Sequence, residues 1–192
     1  SSAISRMAAR SNESRCLNIK SIRSSLKVFL IIEGMAADFC FVTHWSIQAP
    51  LDQVYETIKA CEDWPQWWQG SICVEKQQEG DHRGVGSVYR FTWEGKIPYR
   101  FSFVLRVTQA IPGVLIEGQA EGEIVGTGRW EFTSQPDATW VTYTWIVRTN
   151  RLWMNVLAPI AKPLFKWNHD QVMRQGEQGL IRWLQVKSRH RD

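Results

Sequence analysis

The stretch FKWNHDQVMRQGEQGLIRWL, residues 165–184, has the apolar spacing of a helix but carries groups that a plain helix does not need. Asn168 and His169 stand where apolar residues are expected, and Gly176 and Gly179 interrupt the middle. An imidazole can hold a ligand's polar head or move a proton near neutral pH. An amide can donate and accept at once. Buried without a partner, either group costs roughly 1–3 kcal/mol. Three uses of the pair are open: a structural link to the sheet, an anchor for a ligand head group, or acid–base catalysis by His169.

Other reactive constellations do not appear. His44, His82, His169 and His190 show no HxxxH or HxH spacing, and no neighbouring Cys or Asp completes a zinc set. There is no GxSxG elbow. The glycines of EGEIVGTGRW lack the GK[ST] ending of a phosphate loop. Glu117, Glu121, Glu123 and Glu131 fall mostly on an expected solvent face. No metal or cofactor is expected. Cys16, Cys40, Cys61 and Cys73 form no CxxC pair, which favours a reduced, intracellular setting.

Charge argues against nucleic acid. Six basic residues against Glu13 and Glu33 put the whole excess of +4 on residues 1–34, and the remainder balances 17 positive against 17 negative charges. Residues 1–34 are rich in Ser and Arg, as in a transit peptide, or form an upstream extension before Met35. The expected location is cytoplasmic, or an organelle if the segment is a transit peptide. Residues 35–192 are read as one domain.

Several elements must position the helix. Phe39 to Ile47 reads as a strand. After Ala49-Pro50, the spacing of Leu51, Val54, Tyr55 and Ile58 predicts a short helix, and DWPQWW (63–68) predicts a second turn. Six strands then follow at 72–78, 84–93, 99–108, 114–121, 123–133 and 139–149, joined by short turns, so an antiparallel meander is expected. Because proline suits a helix's first turn, the main helix is expected from near Pro163 to about Val186. Its sheet-facing side should hold Phe165, Val172, Gly176, Gly179 and Trp183, with Asp170 and Ile181 turned away.

Each helix glycine costs about 1 kcal/mol against alanine. Either close packing on large aromatics or space for a ligand would account for the pair. Gly122, Gly126 and Gly128 pose the same choice on one strand, between sheet curvature and cavity space.

The order of elements, with HWSIQAPLDQVYETI (44–58), DWPQWW (63–68), GVGSVYRFTWEGKIPYRFSFVLRVT (84–108), EGEIVGTGRWEF (121–132) and LFKWNHDQVMRQGEQGL (164–180), resembles the START-related helix-grip (SRPBCC) superfamily. That superfamily includes polyketide cyclase/dehydrase-like and coenzyme-Q-binding proteins. The resemblance implies an α+β helix-grip fold. In it, a curved antiparallel sheet of about seven strands wraps a long C-terminal helix, with two short helices after the first strand and a hydrophobic cavity inside.

Strand alternation then nominates cavity residues: Tyr89, Phe91 or Trp93 from one strand, Tyr99, Phe101 and Phe103 from the next. Ile116, Gly118, Trp130, Tyr143 and Trp145 follow from the later strands. Tyr89, Trp93, Tyr99, Phe101, Trp130, Tyr143 and Trp145 are the expected ligand contacts from the sheet, with Asn168, His169 and Val172 from the helix. The implied function is binding or transport of a lipid, isoprenoid quinone or polyketide-like molecule. The alternatives are a cyclase or dehydratase using His169, Tyr143 or Tyr89, and a structural partner in an assembly. The apolar Leu152–Leu157 segment is either a packed lid or a transient membrane contact.

Overall fold

A computed structural model describes residues 38–95, 100–149 and 152–189. The first strand, β1 (Asp38–Ile47), is followed by helix α1 (Leu51–Lys59), a 3-10 turn (Cys61–Asp63) and the single-turn helix α2 (Trp64–Trp67). Six strands follow: β2 (Ser71–Gln78), β3 (Val88–Glu94), β4 (Arg100–Ile111), β5 (Leu115–Gly122), β6 (Ile124–Ser134) and β7 (Thr139–Thr149). Helix α3 (Leu152–Arg189) closes the described chain. All strands pair antiparallel in the order β1-β7-β6-β5-β4-β3-β2. The sheet is curved, and its register slips at Cys73, Gln78 and Gln109, where one extra residue bends a strand.

Alternation decides which side of the sheet is concave. On β1, Trp45 and Ile47 are buried while His44 and Ser46 are exposed. On β7, Val141, Trp145 and Val147 are buried towards the same core. Pro50 suits the start of α1, where its missing N–H is not needed, and Val54, Tyr55 and Ile58 recur at helical spacing to bury one side.

The tryptophans of DWPQWW join the layers. Trp64 Nε1 donates to the Ile58 carbonyl at 3.0 Å, tying α2 to α1. Trp68 Nε1 donates to the Val172 carbonyl at 2.8 Å, tying α2 to α3. The Trp68 ring, 2% exposed, lies 5.4 Å from Trp45 and 5.1 Å from Trp93.

The glycines of α3 belong to this junction. A Cβ on Gly176 would stand 2.4 Å from the Trp68 indole, and one on Gly179 would stand 1.9 Å from the Trp67 carbonyl oxygen. Close packing therefore explains both, and the aromatics responsible come from α2 and not from the sheet.

The structure corrects two expectations about α3. It begins at Leu152 and runs through Pro159 and Pro163. Each proline removes one backbone donor, but the rungs on either side continue the helix. The buried arc is also wider than one stripe: Met173, Leu180 and Leu184 are buried, and Ile181 packs on the core instead of turning away. A helix held by α2 as well as by the sheet needs apolar groups on more than one side.

This packing sets a test on Gly179. In an exposed helix, Gly→Ala would stabilise by about 1 kcal/mol. Here Gly179→Ala must push against backbone, and a net loss of about 1–3 kcal/mol in urea unfolding is expected. Gln178→Ala on the exposed side should be nearly neutral. A Gly179→Ala protein as stable as the parent would contradict the close approach.

Candidate functional site

Beyond Met173 helix α3 packs tightly, and the turns from Phe165 to Met173 stand over an apolar cavity of 290 Å³ between helix and sheet. That volume is at the lower end of small-molecule pockets. Phe91, Trp93, Phe101 and Phe103 form one wall from β3 and β4. Trp130, Tyr143 and Trp145 form another from β6 and β7, with Trp130 and Tyr143 stacked at 4.0 Å. Phe165, Asn168, His169, Val172 and Met173 make the roof.

Of the expected contacts, Tyr89, Trp93, Phe101, Trp130, Tyr143, Trp145, Asn168, His169 and Val172 all line this space. Tyr99 lies outside the described residues. Sequence reasoning missed Phe39 and Phe41 of β1, Trp64 of α2 and Trp68 just after it. The alternation of β1 would have found the first pair. The Trp residues carry no periodic signal, because one short turn has no face to read. Glu123, expected towards solvent, also lines the cavity at the β5–β6 turn.

Strand glycines do not leave empty room. Gly118 and Gly128 face each other across β5 and β6 and line the cavity. A Cβ on Gly118 would stand 2.5 Å from Leu105 Cδ2, and one on Gly128 would stand 2.9 Å from the Trp145 ring and the Tyr143 hydroxyl. Larger side chains from neighbouring strands fill what these glycines vacate.

Asn168 and His169 part company. The Asn168 amide rests against Gly95 at the end of β3, where a glycine Cβ would come within 2.5 Å of it. His169 stacks on Phe41, with ring centroids 4.2 Å apart and planes 13° apart. Neither His169 nitrogen has a hydrogen-bond partner. The Asp170 carboxylate lies 3.8 Å from Nδ1, too far for a hydrogen bond. Among the described residues, His169 alone brings buried, unpartnered side-chain nitrogens to this cavity wall.

Burial holds the His169 pKa down to about 4, and the pull of Asp170 in the other direction is weaker. The imidazole is therefore neutral at pH 7, with one nitrogen to donate and one to accept. Burial raises the Tyr143 pKa, so its phenol stays protonated. His44 is exposed and bonds Thr142 at 3.1 Å, away from the cavity. Cys61, on the cavity wall, is a free thiol whose pKa burial pushes up to about 12, which makes it a poor nucleophile. Among the described residues, no three His, Cys, Asp or Glu side chains gather as a metal set, and no helix is long and apolar enough to cross a membrane.

An antiparallel sheet closed by a long helix over an apolar cavity defines a START-like helix-grip domain. Residues 47–175 match the model of the family described as polyketide cyclase / dehydrase and lipid transport, and the chain belongs to that family.

Solved structures agree on the fold. A START superfamily protein from Mycobacterium smegmatis superposes with a TM-score of 0.63 at 14% identity, covering 77% of this chain and 97% of that one. The Zhui aromatase/cyclase from Streptomyces sp. R1128 gives 0.60 at 13% identity, over 76% and 92%. The di-domain ARO/CYC StfQ from the steffimycin biosynthetic pathway gives 0.56 at 11% identity, over 74% of this chain; the match spans 50% of that longer chain. At these identities the likeness is one of fold. No curated protein sequence matches the chain.

The buried imidazole sets a pH dependence. The unfolded chain accepts a proton near pH 6.5 that the folded protein resists down to about pH 4. Stability is thus fully present above pH 6.5 and is lost as the pH falls towards 4. Across that window the parent should lose up to about 3 kcal/mol more than a His169→Gln protein in denaturant titrations. Parallel pH profiles for the two would mean that His169 is hydrated.

Proposed function

We propose that the domain binds a hydrophobic or amphipathic small molecule, of the lipid, isoprenoid quinone or polyketide-like kind, in the cavity under α3. The observation that carries this reading is His169, a neutral imidazole with both nitrogens unpartnered, set in a largely apolar wall. Leaving it so costs roughly 1–3 kcal/mol, which a guest's hydroxyl or carbonyl would offset. The flat rings beside it suit a planar or chain-like guest. Transient membrane contact during loading is supported by Leu164 and Trp167, which are about half exposed on α3 beside the cavity roof.

Mass spectrometry of the native protein and solvent extraction should show a co-purified apolar compound. The purified protein should also take up the neutral fluorescent probe N-phenyl-1-naphthylamine. Ile116→Trp, which fills the cavity from β5, should weaken probe uptake about ten-fold or more while leaving far-UV circular dichroism unchanged. Absence of a co-purified compound together with undiminished probe uptake by Ile116→Trp would overturn the reading.

A cyclase or dehydratase acting in the same cavity is the second reading, supported by the family and by the free His169 nitrogens. A general base works best with a pKa near the operating pH. A pKa of about 4 makes His169 a weak base at pH 7, which favours binding over proton abstraction. His169→Gln separates the two, because it keeps hydrogen bonding and removes proton transfer. Loss of turnover of a poly-β-keto substrate, with probe uptake retained, would establish catalysis.

A further inference from the structure

The cavity has two unlike ends. At one, the wall includes Lys59 from the end of α1 with Arg83 and Gly84 from the β2–β3 loop. Arg83 is exposed, so its head group reaches solvent at this end of the wall. At the other, the wall includes the carboxylates Glu94 and Glu123.

Neither cation of the first end is held in a close ion pair within that wall. Arg83 Nε donates to His82 Nε2 at 3.3 Å. The Asp81 carboxylate is engaged by the backbone N–H groups of Arg83 and Val85, at 2.9 Å each. Lys59 has Glu56 at 3.7 Å, a long contact on the solvent side with Glu56 64% exposed. Lys59 Cε stands 4.0 Å from the Cβ position of Gly84, so its ammonium lies by the loop that carries Arg83. At the other end Glu94 pairs with Arg100, and Glu123 accepts from the Ser102 N–H at 3.2 Å.

We infer that the guest is an anionic amphiphile, oriented with its carboxylate or phosphate head between Lys59 and Arg83 and its apolar body under α3. The inference rests on the binding reading above and adds head-group charge and direction to it. A guanidinium matches either anion with paired donors, and the ammonium adds a second, mobile contact. An anion entering from the opposite end would face Glu94 and Glu123. The head stays in partly solvated surroundings, so its charge is not stripped of water, and the body is buried, where a hydroxyl or carbonyl on it can meet His169.

Displacement of N-phenyl-1-naphthylamine by dodecanoate and by 1-dodecanol tests this at about pH 8, where the acid is ionised. The chains are equal, and the heads differ in charge. The double variant Lys59→Gln/Arg83→Gln should bind dodecanoate about five- to ten-fold more weakly than the parent and bind 1-dodecanol within about two-fold of it. Added salt should weaken dodecanoate in the parent alone. If the double variant leaves dodecanoate unchanged, or weakens both compounds equally, the head does not sit at this end. If neither compound displaces the probe from the parent, the binding reading falls as well.

Discussion

The structure depends on how closely α3 approaches α2. At Gly176 and Gly179 the helix backbone lies against Trp68 and the Trp67 carbonyl with no room for a methyl group. The Trp68–Val172 hydrogen bond fixes the register of that contact. Two glycines weaken the helix by about 2 kcal/mol. Burial of the large rings of Trp64, Trp67 and Trp68 offsets this, since a fully buried aromatic contributes about 1.5–3 kcal/mol. The helix is clamped from Val172 onward, and the turns just before the clamp, from Phe165, stand over the cavity. The cavity exists because the clamp lies beside it and not across it.

That arrangement also explains the electrostatics of the cavity. Its walls are rings and aliphatic chains, so a charge inside is disfavoured, and the one imidazole there is kept neutral. Tyr143 stays protonated for the same reason. Fixed charges appear only where the wall nears solvent: Lys59 and Arg83 at one end, Glu94 and Glu123 at the other. Polar groups inside can choose a guest's hydrogen bonds, while the ends can choose its charge and orientation.

The sheet was legible because alternation is a local signal. Tyr99 to Thr108 reads as one strand from its own residues, and the structure describes β4 from Arg100 to Ile111. Cavity residues on strands followed from the same alternation. The helix was harder. Its start was misplaced because proline is judged by its own position, whereas a long helix held elsewhere can carry two. Its buried arc was drawn too narrow because sequence periodicity assumes one partner, and this helix has two. The roles of Trp64 and Trp68 were out of reach, since their partners Ile58 and Val172 lie across a fold that the sequence does not display. The glycines were visible as an anomaly, but choosing between packing and space needed the position of Trp68.

The low identities to the aligned structures follow from the same division of labour. The fold asks for alternation in seven strands, a turn that places large rings, and small residues where a helix crosses them. Many sequences satisfy those terms, which is why 13% identity can accompany a TM-score of 0.60. None of the terms specifies His169, Lys59 or Arg83. His169 is set in the wall with no bond that stability requires, and the two cations sit at the rim, where exposed charges contribute little to folding. Residues that the fold does not need are the ones free to select a ligand. The search for this domain's guest therefore belongs at those three positions and not in the aromatic core that encloses it.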